Sequence, residues 1–484
     1  MRRAAAVLTA LLLGSPAAAQ APDWAAVLRQ DAQGLHDVYL DSHPGPVDPR
    51  EPEFRVALEA GLKAALARAD QTTTYGGYRA AMSEYVAAFN DGHVQMGPTD
   101  TAPPLPTAWP GFLTRMTLDD RHVVAVRLEE ASAPPLGAEL VSCDGKPAAA
   151  LAERRVARVQ GRWNLRVQRF FRGPRLFVDY GDPWAAPPRS CDFAVGGATR
   201  TYGLAWRPIA PSELTPQLTK AIGRFMAPVQ MHAFGPRRWW ISLGSFDSTP
   251  GSDSAKKLTA LLAEVDARKA ELRAAELIVL DLRGNNGGSS HYSERIAQAI
   301  WGPDWTAARA VQTGAVDWRA SQANIDYFAR FAADLKAQPG HDEQQVAWVE
   351  SVVAGMRGAK ARGEALWREP AEPESKRRAN AAPATRAKVV FVTDSACASA
   401  CLDAADLWRA AGAVHVGHET GADSLYMDVR PQTLPSGYLR VTVPMKVYRD
   451  RPRGSNVPYR PHVAFPGDLA DTGALETWIL QLPN

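Results

Sequence analysis

Three short segments concentrate the residues whose types and spacing could do chemistry. The first is Asp281-Leu282-Arg283-Gly284-Asn285-Asn286-Gly287-Gly288, which directly follows an apolar run. Glycines at 287 and 288 let backbone N–H groups turn toward a bound oxygen with no Cβ in the way. An oxyanion hole or an anion nest is built in this manner. The second is Thr393-Asp394-Ser395-Ala396-Cys397-Ala398-Ser399-Ala400-Cys401, between another apolar run and a helical pattern. A serine there sits at the positive end of a helix, where negative charge on oxygen is favoured. Ser395 and Ser399 both fit that place, as nucleophile or as helix cap, and physics alone does not rank them. The third is Asn90-Asp91-Gly92-His93-Val94. A serine hydroxyl is a weak nucleophile at neutral pH and needs a base, which a histidine on a turn can supply. A lone histidine is more often structural. Taken together, the three segments point to acyl transfer.

The elements that must position these residues can be read from periodicity. Glu276 to Leu282 and Lys388 to Val392 are nearly continuous apolar runs, as expected of strands covered on both faces. Trp239 to Leu243 is a further strand, and Ser252 to Leu272 and Ser399 to Ala411 read as helices. Strand–helix alternation on both sides of residues 310–385 predicts one layered α/β domain with an insertion there, helical and polar on one side. Residues 23–90 carry helical periodicity, broken by the Pro-rich stretch His43 to Pro52. A second Pro-rich boundary, Thr101 to Pro110, opens a β-rich region. Within it Gly137 to Pro147 reads as strand, Asp-Gly turn and helix start, which resembles the strand–turn–helix of PDZ domains.

The chain's 484 residues, 46% hydrophobic and 22% charged, suit a soluble protein of several domains. A net charge of +3 gives no sign of a nucleic-acid partner. Arg2 and Arg3, the apolar stretch Ala4 to Gly14 and the Ala17-Ala18-Ala19 motif read as a secretory signal cleaved near Ala19, which predicts a periplasmic or secreted protein without a stable membrane anchor. An oxidising compartment permits disulfides among Cys143, Cys191, Cys397 and Cys401. Four cysteines allow three pairings, and the sequence does not choose. With no C-x-x-C pair and no nearby histidine cluster, a zinc site is not expected, and acyl transfer by a serine would need neither a metal nor a cofactor.

These segments resemble the C-terminal processing (tail-specific) serine protease family, in its tricorn-like branch. The resemblance covers the "DGH" turn, the PDZ-like region, the "DLRGNxGG" turn, the "SxxCASA" segment and Asn456-Val457-Pro458-Tyr459-Arg460-Pro461. It implies an α/β fold with a ClpP/crotonase-like core. The boundaries expected are a signal peptide over 1–19, a helical region over 20–100, a PDZ-like domain over 101–208 and the core over 209–484, interrupted by the 310–385 insertion. It implies Ser399 as nucleophile and Gly287, Gly288 and Ala400 as oxyanion donors. The family's glutamate three residues on is Leu402 here. Asp423 stands where the Ser–Lys branch has its lysine, so the base falls to His93, as in the tricorn-like branch. Asp423, Glu419 and Asn456 are candidates to orient it, and Lys446 is a remote alternative base. A peptide substrate follows. The rival expectations are a catalytically inactive relative binding peptide or small ligands in the same cleft, and an esterase.

Overall fold

The apolar runs become the centre of the molecule. In a computed structural model, which describes residues 22–483 except 131, 250, 310–313, 338–342 and 371–380, Leu277–Asp281 is buried at every position. It lies in a six-stranded sheet of order Val229–Gly235, Arg238–Leu243, Leu277–Asp281, Lys388–Thr393, Val414–Gly417, Val463–Ala464. The first pair is antiparallel and the remaining four are parallel. Alternate side chains serve opposite faces, as the two-residue period of a strand requires. Ile278 and Leu280 join the core under the helices Asp253–Ala267, His291–Trp301 and Ala400–Ala411. Val279 and Val390 instead meet Leu475 and Ile479 of the helix Thr472–Leu480. Burying each such aliphatic side chain contributes roughly 1.5–3 kcal/mol.

The helices Trp24–Ser42, Pro52–Arg68 and Tyr75–Ala87 pack against a second sheet built on the long strand Leu439–Tyr448, through Leu439, Val441, Val443 and Val447. Met96–Pro98 pairs with this strand, which anchors the segment that follows His93. Residues 316–368, read from sequence as helical, contain the helices Gln322–Lys336 and Glu343–Ala361 and also two strands. Val316–Arg319 pairs with Leu439–Tyr448 and with Leu366–Arg368, which ties this stretch into the second sheet. The β-rich region forms an antiparallel sheet from Phe112–Met116 to Ala198–Gly203. Cys143 and Cys191 face each other across two of its strands and are bonded. The other disulfide joins Cys397 to Cys401, and both of those sulfurs lie in the main core. The signal-like segment 1–19 lies outside the described residues. Among the described residues no helix is long and apolar enough to cross a membrane.

Candidate active site

Two parallel strands end side by side, and the loops beyond them make the site. Asp281 pairs with Val392 across the strands Leu277–Asp281 and Lys388–Thr393. Past Asp281 the chain is locked at once. The fully buried Asp281 carboxylate takes Arg283 Nε at 2.8 Å and Nη2 at 2.6 Å, and also Trp240 Nε1 at 3.1 Å. Gly284 N–H then donates to Asp394 Oδ2 at 2.9 Å, which joins the glycine loop to the serine loop. Asp394 also accepts the Ala396 N–H at 2.9 Å, and burial pushes its carboxyl up to about 6.

Ser399 stands between the strand Lys388–Thr393 and the helix Ala400–Ala411 at φ +54°, ψ −128°. A non-glycine residue at positive φ costs on the order of 1–3 kcal/mol and persists only where its surroundings over-determine it. The surroundings here do so from three sides. Asp423 Oδ2 accepts the Ser399 N–H at 3.0 Å. The Cys397–Cys401 bridge spans it. Gly287 presses against it: a Cβ on Gly287 would lie 2.7 Å from Ser399 Cβ and 2.8 Å from Ala398 O. Gly288 is equally confined, since a Cβ there would lie 1.9 Å from Phe246 O. Ser395 sits outside this arrangement, in the turn before the disulfide.

The expected oxyanion donors separate by their hydrogen bonds. Gly287 N–H donates to the buried Asn285 Oδ1 at 2.8 Å, so its contribution is close approach and not donation. Gly288 N–H has no acceptor among the described residues. Ala400 N–H opens the helix, where the first-turn donors have no intrahelical partner.

His93 is tied to the same place through its own turn. Asp91 Oδ1 accepts the His93 N–H at 2.7 Å and the Ser424 hydroxyl at 2.7 Å, while the neighbouring Asp423 holds Ser399. Consecutive residues 423 and 424 therefore brace the serine and the histidine turn. His93 Nδ1 lies 3.8 Å from Asp91 Oδ1, buried and without a hydrogen-bond partner. The His93 ring makes no hydrogen bond to Ser399. Burial raises the Asp91 carboxyl, against the opposing pull of His93, Ser424 and Arg162. Arg162, from the β-rich region, donates through Nη1 to Ala422 O at 2.9 Å and packs on Gly92.

Among the described residues, none of the candidates to orient the histidine makes a hydrogen bond to its Nδ1. Asp423 binds the Ser399 N–H. Asn456 Nδ2 donates to Asn90 O at 2.8 Å and so braces the base of the turn. Glu419 faces Arg460 at 3.5 Å. The carboxylate beside the histidine is Asp91, which sequence reasoning passed over although it stands two residues before His93. Lys446 pairs with Asp428 at 2.9 Å and packs near Trp318; burial would lower its pKa, but Asp428 and Tyr448 hold it above the ordinary lysine value, so it stays protonated.

Residues 240–458 match the family model described as Peptidase family S41. This stretch resembles the core of S41 peptidases. Ser399, the glycine loop and Asp423 all fall inside it, whereas His93 and Asp91 precede it. The enzyme class is therefore serine peptidase, with a peptide or protein as substrate. The fold is similar to that of mature CPAF complexed with lactacystin, at TM-score 0.60 and 14% identity, covering 94% of this chain and 97% of that one. Mature CPAF alone gives 0.59 and 13%, covering 91% and 93%. The photosystem II D1 C-terminal processing protease also matches over 91% of this chain and 93% of that one, at 13% identity and TM-score 0.33. No curated protein matches this sequence.

Proposed function

We propose that this chain is a periplasmic or secreted endopeptidase of the C-terminal processing type that cleaves peptide bonds through an acyl-enzyme on Ser399. The observation that carries the reading is the strained, over-determined backbone of Ser399 packed on Gly287. Export rests on the basic and apolar segment before Ala19.

In the proposed reaction His93 takes the Ser399 proton as the hydroxyl attacks the carbonyl carbon. Gly288 and Ala400 N–H groups hold the tetrahedral oxyanion, each worth about 3–4 kcal/mol in the transition state. Asp91 stabilises the imidazolium that forms, as the third member of such triads does. His93 then gives the proton to the leaving amine, and water releases the acyl group by the same steps in reverse order. Asp423 acts as a positioning residue, since it fixes the serine backbone through its N–H. Because His93 and Ser399 are not hydrogen-bonded here, productive contact requires a rearrangement on substrate binding, common among catalytic hydrogen bonds seen without substrate. The PDZ-like region is proposed to hold the peptide by adding it to a sheet edge.

The test is fluorophosphonate labelling of the purified protein, mapped by peptide mass spectrometry, with His93→Ala alongside. Label on Ser399 that depends on His93 supports the reading. Absence of label on any serine, even with peptide present, means a binding protein in the same cleft.

A further inference from the structure

Beside the histidine turn lies a cavity of about 200 Å³ that shares Asp91 with the proposed site. Its walls come from the helix Tyr75–Ala87, the segment Asn90 to Met96, and the stretch between Val159 and Arg172. Three guanidinium groups line it, those of Arg79, Arg162 and Arg172, against one carboxylate, Asp91. Arg79 Nη1 is buried and lacks a hydrogen-bond partner, as does Asp91 Oδ2. Arg162 has part of its donor capacity engaged by Ala422 O. Ser83, Gln160 and Gln168 add neutral polar groups. A second cavity of about 350 Å³, which Asp179 and Asp182 also line, shares Arg79, Ser83, Gln160 and Arg172.

Like charges are not gathered in a partly buried space without cost, because the lower dielectric strengthens their repulsion. Arg172 registers that cost: burial first, then Arg175 and Arg162, lower its pKa to about 10. An ion of opposite charge would relieve it. Asp91 brings a single carboxylate, and it is committed to His93 and Ser424. At least two positive charges in the walls are thus left without a counter-charge from Asp91. Planar guanidinium forks match the oxygens of phosphate and carboxylate groups.

We propose that this cavity binds a small, multiply charged oxyanion of the phosphate or polycarboxylate kind, with Arg79 and Arg172 as its principal donors. Arg79 and Arg172 have no part in the proposed serine chemistry, so the proposal holds whether or not Ser399 is reactive.

The experiment is calorimetric titration of the purified protein with inorganic phosphate and, separately, with citrate, at constant ionic strength, with chloride as the monovalent control. Saturable binding of either anion, weakened about tenfold or more in Arg172→Gln and in Arg79→Gln, is expected, since a hydrogen bond to a charged group is typically worth that much. The anion that binds identifies which of the two oxyanion types the site takes. Arg172→Lys, which keeps the charge, is expected to retain part of the affinity. If Arg172→Gln does not fold, as judged by circular dichroism, Arg79→Gln alone decides. Heats that chloride reproduces, or affinities that the substitutions leave unchanged, overturn the proposal and leave a water-filled space.

Discussion

Asp91→Asn separates chemistry from stability in a way few substitutions in this protein can. The amide oxygen can still accept the His93 N–H and the Ser424 hydroxyl, which both reach Oδ1, so the turn should persist while the charge is gone. Two unit charges at the 3.8 Å between Asp91 Oδ1 and His93 Nδ1 attract by about 4 kcal/mol at an effective dielectric of about 20. His93 is 20% exposed, and solvent trims this to about 3 kcal/mol, or roughly a 10²-fold fall in kcat. Stability should move the other way. A carboxyl raised on folding stabilises the fold below its unfolded pKa and loses that contribution as pH rises through the folded one. Asp91 is such a group, because burial raises it. At pH 7 the variant should therefore match or exceed the wild-type Tm, and the difference should narrow as pH falls and the wild-type carboxyl takes up its proton. The assay is turnover of a quenched peptide substrate, with thermal melts from pH 4 to 8. Turnover within threefold of wild type at pH 7, in a variant with unchanged Tm, would refute the role given to Asp91.

Gly287→Ala forces a Cβ to 2.7 Å from Ser399 Cβ at φ +102°; overpacking of this kind costs about 1–3 kcal/mol, and fluorophosphonate labelling of Ser399 should slow by at least tenfold. The two disulfides should rank oppositely in stability and activity. By loop entropy, removing Cys143–Cys191, separated by 48 residues, costs about 4 kcal/mol, and removing Cys397–Cys401, separated by four, about 2 kcal/mol; denaturant melts and kcat of the paired Cys→Ala variants check that the second nonetheless loses more turnover. Asp394, raised to about 6 by burial, makes the fold lose stability as pH rises through 6, so the decline in wild-type Tm between pH 5 and 7 should flatten in Asp394→Asn.

What could be read in advance follows from how local each signal is. The strands Leu277–Asp281 and Lys388–Thr393 were legible because burial on both faces demands an unbroken apolar run, and that demand is written in consecutive residues. The glycine loop was legible for a similar reason: only residues without a Cβ fit where Gly287 and Gly288 lie. Its division of labour was not legible, because the bond from Gly287 N–H to Asn285 Oδ1 depends on one side-chain rotamer. Position was the weaker guide for charged groups. Asp423, Glu419 and Asn456 were singled out by their place in a motif, yet a carboxylate's role depends on what it meets after folding. Asp423 meets a backbone N–H, Glu419 meets Arg460, and Asn456 meets Asn90 O. Asp91 escaped notice because an Asp before Gly in a turn is explained by the turn itself. Its second partner, Ser424, lies 333 residues away. Two adjacent residues brace the proposed base and nucleophile: Asp423 holds Ser399 and Ser424 holds Asp91 of the His93 turn. A shift of that dipeptide would move both halves of the site at once, and Arg162 grips the residue just before it. The helical region, the β-rich region and the core thus meet at residues 422–424, a junction visible only once the chain is folded.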